Sequence, residues 1–407
     1  MTLTIHRGTN EIGGSCVEIA TESSRVLIDI GLPLDFDKKT VEQKQQIREQ
    51  AHNWCQGVDA IFISHYHQDH HGLLSEVSPT MPVYVTAGTE AMFKINEVFL
   101  PNKTKIENLQ IIKPQLTINI GDIKLTTFTV DHSAYDACAF LIEADNKRIL
   151  YSGDIRLHGR KGILYKNLPR EVDYLILEGT NIERDRKSKT EAEIEKDFIE
   201  LFKKDNDKLN LIWCSGQNID RLTNIFKAAS KTGRTMVVDV YVAASLYEIH
   251  KLNNSIPSSL THGIKVWYTQ PIKYKKGQHN YSLEFQHQRI RPNVIRDNPG
   301  KFVVIMRPSM LVALRRGLQV PNANVITSMW KEYEKDSTAF FDWVDSQCYD
   351  RNYIHTSGHA DIESLKIIAD FINPKEIIPI HTQKKEYFNT IFQQRIRVLE
   401  DNEPNRL

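Results

Sequence analysis

Apolar residues in the first 180 positions come in short runs, many of them alternating with polar ones, rather than at helical spacing. "LTIHRG", "SCVEIATESSRVLIDIG", "AIFISH", "PVYVT", "IKLTTFTVDH", "AFLIEADNKRILYSGD" and "YLILEGT" read as strands, and "EADNKRI" reads as a hairpin turn. Helical patterns interrupt them at "TVEQKQQIREQAHNWC" and "GTEAMFKINEVFL". This order predicts two sheets with helices outside.

From about Thr190 the pattern changes. "TEAEIEKDFIELFKKD" reads as a helix, with Thr190 and Glu193 spaced for a capping box. Strand and helix then alternate through "LNLIWCSG", "NIDRLTNIFKAASKTG", "RTMVVDVY" and "VAASLYEIHKLN", with further strands at "KFVVIMRP" and "NANVITSM". Such alternation predicts an α/β domain on a parallel sheet. "IPSSLTHGIKVWYTQPIKYKKGQHNYS" is turn-rich and reads as a long irregular connection. From about Tyr349, "YIHTSGHADIESLKIIADFINPKEIIPIHTQ" reads as strand end, glycine turn, helix, strand and loop.

The 407 residues suit two domains, or one domain with a large insertion. A net charge of +1 argues against bulk electrostatic binding of nucleic acid but leaves room for a local basic cleft. No run of 18 apolar residues predicts a membrane span, and "MTLTIHRGTN" lacks the apolar core of a signal peptide, so a cytoplasmic protein is expected. The five scattered cysteines read as reduced core thiols.

The chemistry concentrates in "SHYHQDHHG". If His65 and His67 continue the preceding strand, their spacing points both imidazoles to one side, and Asp69 and His70 follow around a tight turn. A histidine-rich surface loop would also look like this. It would not explain the further ligand types that follow apolar β-runs: His132 in "TVDHSAYDA", Asp154 in "YSGDIR" and His381 in "IPIHT". His65, His67 and His132 with a bridging Asp154 could hold one zinc, and Asp69, His70, Asp154 and His381 a second. Two such ions acidify a water for hydrolysis of an ester, phosphoester or amide. Asp69 could also orient or deprotonate that water. Asp29, ending "VLIDIG", reads either as an outer support for a ligand or as an ordinary turn residue.

These residues resemble the metallo-β-lactamase superfamily: "HYHQDHHG" matches its HxHxDH signature, with His132, Asp154 and His381 in order. A narrower resemblance is to the β-CASP nucleases of ribonuclease J and cleavage-factor type. It rests on Glu178 ending "LILE" 24 residues after Asp154, on His359 in "SGHA", and on His381 in "PKEIIPIHT" 22 residues later. "CSGQNIDRLTNIFKAASKTGRTMVVDVY" resembles the inserted β-CASP domain. The resemblance spans nearly the whole chain, weakly between about 255 and 345. It implies an α/β fold, an αββα sandwich of residues 1–185 and 346–407 with a β-CASP domain inserted at 186–345. It also implies a zinc-dependent nuclease, of exonuclease type among others, holding two Zn2+, with Mn2+ or Mg2+ as substitutes. The resemblance makes His359 a proton donor or phosphate contact and Glu178 the residue that orients it. His355, Ser357 and the backbone at Gly358 would bind phosphate, with a strand-end core role the alternative for His355. Final histidines accompany RNA rather than DNA in such relatives, so single-stranded RNA is the expected partner. Ribonuclease J itself carries a further domain after the last histidine, where 26 residues follow here; a homodimer is compatible with this reading.

A polynucleotide needs a cationic, partly aromatic path. The best stretch carries Lys273, Lys275, Lys276, Arg289, Arg291 and Arg296 among Trp267, Tyr268, Tyr274 and Tyr281, unless these form an ordinary solvated face. Arg315 and Arg316, and Arg156, Arg160 and Lys161 just after Asp154, are further candidates, with Arg156 expected at the cleft mouth; Arg221 is expected to pair internally. Two other readings stand beside the nuclease. One is a hydrolase of small lactones, thioesters, esters or cyclic phosphates; the other is a non-catalytic nucleic-acid-binding subunit.

Overall fold

A computed structural model of the chain describes residues 1–100, 106–184 and 186–407. It divides into two compact units. The first comprises the chain up to Phe93, the stretch ending at Ser188, and Gly358–Leu407; the second is Lys189–Ser357 with the end of helix Ala87–Phe99.

The first unit holds two seven-stranded sheets. One runs Asn405–Arg406, Thr2–Arg7, Cys16–Ala20, Arg25–Ile28, Ala60–Phe62, Val83–Thr86, Leu109–Ile112. The other runs Arg395–Ile396, Glu376–Ile380, Tyr174–Glu178, Lys147–Tyr151, Cys138–Ala144, Ile123–Thr129, Thr117–Ile120. Side chains alternate across a strand, and the burial follows that period. Leu3, Val17, Val26, Ile28 and Phe62 of the first sheet meet Ile123, Phe140, Ile142, Ile149 and Ile176 of the second in one apolar cluster. The alternate residues Leu27, Ile61, Val83 and Val85 face outward and are covered by Ile47, Ala51 and Trp54 of helix Val41–Trp54. That helix starts at a capping box, Thr40 with Gln43. Leu150, Leu175 and Leu177 alternate with the inner residues of the second sheet and are equally buried, so that sheet too is covered on its outer face. Helix Ile362–Ile372 lies beside it, its last carbonyl accepting from Glu171 N. The architecture is an αββα sandwich.

The second unit is a seven-stranded sheet, parallel throughout: Arg289–Ile290, Ile264–Trp267, Thr235–Asp239, Phe302–Met306, Leu209–Trp213, Ala323–Thr327, Asp350–Tyr353. Helix Glu191–Lys204 begins at the Thr190–Glu193 capping box. Two expectations need correction. "IKVW" is a strand inside the segment read as irregular, its alternation too short to stand out. Asp350–Tyr353, assigned by sequence to the returning part at 346–407, pairs with Ala323–Thr327. The second unit therefore runs to Ser357 rather than 345. "DRNY" is a polar edge strand, with no apolar run to mark which sheet it joins.

Candidate metal centre

The strand Ala60–Phe62 stops before His65, and His67 is the N-cap of the one-turn helix Gln68–His71. The ligand run is therefore a loop and a helical turn, not the extended strand and tight turn expected from spacing. The turn is pinned by backbone: Ile30 N donates to His70 O at 2.8 Å, Leu32 N to Gln68 O at 2.9 Å, and Ser15 N to Asp69 O at 3.1 Å. At Gly31 a Cβ would sit 1.8 Å from Asp69 O, so only glycine permits this approach.

The first unit brings together every residue named as a metal ligand. His65, His67, His132 and Asp154 form one group, and Asp69, His70, Asp154 and His381 a second, each with ligand atoms within 4.8 Å of one another. His67 Nδ1 and His132 Nε2 stand 3.2 Å apart. Asp154 Oδ2 lies 3.2 Å from His70 Nε2 and 3.6 Å from His65 Nε2, so its carboxylate bridges the groups. His381 Nε2 is 3.3 Å from Asp69 Oδ2. A third group, Asp154, Glu178, His359 and His381, adjoins them.

The donor set fits cations. His65 Nε2, His70 Nε2 and both oxygens of Asp154 are buried and make no hydrogen bond among the described residues. Such atoms are costly in a fold unless something else satisfies them. Ionisation points the same way for three imidazoles and for Asp154, whereas Asp154, Asp29 and Asp69 outweigh burial and hold His70 well above the usual imidazole range while no cation is bound. Burial lowers His65 and His132 well below the usual imidazole range, and lowers His67 to about 4, which keeps them neutral. Burial opposes ionisation of Asp154, but His70, His381 and His359 outweigh it and hold the carboxyl well down. Neutral imidazoles and ionised carboxylates are the forms that ligate.

Asp29 anchors the rear of the site. Buried and at φ 60°, it accepts from Ser64 N, Ser64 Oγ, His70 Nδ1 and Tyr151 OH at 2.7–2.8 Å. A carboxylate only accepts, so His70 carries its proton on Nδ1 and turns Nε2 inward. Gly358 O does the same for His132 Nδ1 at 2.6 Å. This is a role the sequence did not suggest for Gly358, where a backbone phosphate contact was expected. A Cβ there would lie 2.8 Å from Ser133 Oγ. His381 sits at φ 54°, its amide donating to Gly8 O at 2.7 Å and its Nδ1 lying 2.9 Å from Thr180 Oγ1. Thr180 also reaches His359 Nδ1 at 3.1 Å, a support that sequence reasoning missed. Its only mark was its place two residues after Glu178.

Glu178 and His359 form a pair at the centre's edge. His359 Nδ1 lies 3.1 Å from Glu178 Oε2 and 3.7 Å from Asp154 Oδ2. Glu178 is buried and also accepts from Ile155 N at 3.0 Å, while His359 stays one-fifth exposed at 20%. Burial works against charge on His359, yet Glu178 and then Asp154 outweigh it and hold the imidazole at about 9. Asn181 Nδ2 ties down the carbonyls of His359 and Ala360.

Arg156, expected at the cleft mouth, is wholly buried. Its Nε lies 3.3 Å from Asp131 Oδ1 and its amide donates to Asp131 O, so it binds two ligand loops together instead of facing substrate. His355 and Ser357 belong to the second unit, where His355 Nδ1 is 3.5 Å from Arg221 Nη1. Of the cationic stretch, Lys273, Lys275, Lys276, Arg289, Arg291 and Arg296 are exposed. Trp267 and Tyr281 are core residues, however, and the hydroxyls of Tyr268 and Tyr274 bond to Ser282. The expected aromatic interleaving is thus largely spent on packing. His71, given no role by sequence, packs against Phe93 with its Nε2 3.1 Å from Tyr66 O.

Residues 24–204 match the family described as "Beta-lactamase superfamily domain", and residues 347–396 match "Zn-dependent metallo-hydrolase RNA specificity domain". The chain is 31% identical to Probable RNase MJ4 of Methanocaldococcus jannaschii, over 47% of this chain and 48% of that one. It is 22% identical to ribonuclease J of Mycoplasma pneumoniae, over 93% and 67% respectively, and 24% identical to ribonuclease J of Helicobacter pylori, over 92% and 55%. It spans about half the length of the curated relatives it matches. A crystal structure of a protein of unknown function from Enterococcus faecalis V583 superposes with TM-score 0.79 at 21% identity, covering 100% of this chain and 99% of that one, and so shares the fold. With the sandwich and the ordered His/Asp groups, these matches support the metallo-β-lactamase superfamily, in its β-CASP, ribonuclease J-like branch, as the family of this chain.

Proposed function

We propose that the chain is a metal-dependent ribonuclease that hydrolyses phosphodiester bonds. The observation that carries this reading is the Glu178–His359 pair beside the two ligand groups. A hydrolase of small esters or lactones has use for the ligands but none for this pair. RNA as substrate is supported by the names of the relatives and by the match of residues 347–396 to an RNA specificity domain.

His65, His67, His132 and Asp154 would hold one divalent ion, and Asp69, His70, Asp154 and His381 the other. Zinc suits this imidazole and carboxylate set. Two ions there would acidify the attacking water and offset charge on the scissile phosphate. The chain's own groups do the rest. Asp69 orients the water and accepts its proton. Glu178 keeps His359 protonated and aims Nδ1 inward, leaving Nε2–H to meet the departing oxygen.

The test is parallel assay of the purified chain on single-stranded RNA, DNA of the same sequence and a chromogenic lactone, with metal content measured after dialysis. RNA cleavage with an inert lactone is expected. Lactone turnover without RNA cleavage would transfer the site to the small-substrate reading. His359→Ala should keep its metal while cleavage slows roughly 10²–10⁴-fold, the range for lost acid catalysis. Loss of metal from that variant would make His359 a ligand instead.

A further inference from the structure

The second unit has a crevice of its own. Four central strands of its sheet lie in the order Thr235–Asp239, Phe302–Met306, Leu209–Trp213, Ala323–Thr327. The chain leaves Leu209–Trp213 for Thr235–Asp239, two places to one side, and leaves Phe302–Met306 for Ala323–Thr327, two places to the other. Right-handed crossovers put those connections on opposite faces of the sheet, so the loops part at the carboxyl ends of adjacent strands. In open α/β sheets, ligands bind at such switch points. A cavity of about 420 Å³ lies there, built from the loops after all four strands and within the size range of small-molecule sites.

Arg307 gives the cavity its chemistry. Its guanidinium lies 4.4 Å over the Tyr241 ring, and its Nε and Nη2 both donate to Asp239, the Nε at 3.0 Å. Tyr241 is itself held through its hydroxyl by Gln217 Nε2 at 2.7 Å. One face and one edge of the guanidinium are therefore fixed, while Nη1 makes no hydrogen bond among the described residues and the side chain remains 24% exposed. A flat cation backed by an aromatic ring is a platform on which a nucleobase stacks, and the spare N–H can meet a carbonyl or phosphate oxygen. Trp213 and Tyr333 add apolar wall, and Ser309 a hydroxyl at the exposed rim.

We propose that this crevice binds a single nucleotide unit, its base stacked on Arg307. The site is independent of the nuclease reading, since no metal ligand takes part. The unit is either a free nucleoside monophosphate or one residue of an RNA strand.

Calorimetric titration of the full chain in EDTA, which silences hydrolysis, tests this. The probes are AMP, GMP, CMP and UMP, inorganic phosphate, and a tetranucleotide RNA. At least one monophosphate or the tetranucleotide should bind at least tenfold more tightly than phosphate. Arg307→Ala should weaken that binding at least tenfold. Because that change also strips a buried Asp239 of its partner, Ser309→Trp is the second variant; it fills the cavity from an exposed position and should have the same effect. If Ser309→Trp weakens the tetranucleotide, the occupant is a strand; if it weakens monophosphates alone, the occupant is a free nucleotide. No binding by either class, binding indifferent to both variants, or phosphate binding as tightly as nucleotide would overturn the proposal. Cleavage activity, assayed separately, stands or falls without it.

Discussion

Asp154 and Arg221 are both buried charges, one in each unit, and their surroundings differ in kind. Arg221 is fully enclosed and bonded on every side. It reaches both Glu191 oxygens at 3.2 and 3.4 Å, the carbonyls of Ser328 and Thr356 at 3.2 Å, and the Ser328 hydroxyl. Glu191 takes a further bond from Asn224 at 2.6 Å. Asp154 is equally enclosed, yet its oxygens accept no hydrogen bond among the described residues and face imidazoles. A buried polar network that closes on itself serves the fold. One left open in its middle is a site for something the chain does not contain.

The comparison can be broken most directly at Asp154. Asp154→Asn should abolish hydrolysis and lower bound metal. In the metal-free protein it should also cost some stability at pH 7, because His70, His381 and His359 lose the carboxylate whose ionised form they hold. Urea melts in EDTA beside metal analysis would show this, and a variant that kept full activity would end the open-site argument. At Arg221 the metal response should be absent. Arg221→Met should cost about 3–5 kcal/mol by stranding Glu191, with metal content of the folded fraction unchanged. Adding Glu191→Leu should recover part of that loss. Equal losses from the single and double variants would show that packing, not charge, dominates there.

Glu18 tests an intermediate case, a carboxylate shared by His6 at 2.8 Å and Arg25 at 2.6 Å. Burial would raise it, but those hydrogen bonds outweigh burial and hold it at about 2. A carboxyl held below its unfolded value stabilises above about pH 4.5, and that contribution fades as pH falls toward 2. Glu18→Gln should therefore cost about 1–2 kcal/mol at pH 7, allowing for the screening that a partly exposed Arg25 suffers. The gap to the parent should close between pH 4.5 and 2 in urea melts of the metal-free protein. A gap that does not change with pH would remove the electrostatic account.

The sandwich and the gathering of the His and Asp side chains were legible because both rest on strong local signals. Inner and outer faces alternate along Arg25–Ile28 and Lys147–Tyr151, and metal ligands require a few side-chain types at strand ends. What stayed hidden depended on partners distant in sequence. Arg156 follows a ligand and looks like a substrate contact until Asp131 is seen beside it. Thr180 is an ordinary threonine until two imidazoles meet its hydroxyl. Gly358 suggested backbone donors to phosphate, whereas it is its carbonyl that orients His132. Trp267 and Tyr281 sit among lysines and arginines in sequence, but the sheet takes them inward.

The left-handed backbone at His381 limits how this centre can change over time. Histidine tolerates φ 54°, whereas a β-branched side chain there is a true outlier. Exchange of His381 for valine would then carry roughly 1–3 kcal/mol of backbone strain on top of the lost imidazole. Valine at this position is therefore better tolerated once the loop around Gly8 and Thr180 is remodelled to relieve that backbone.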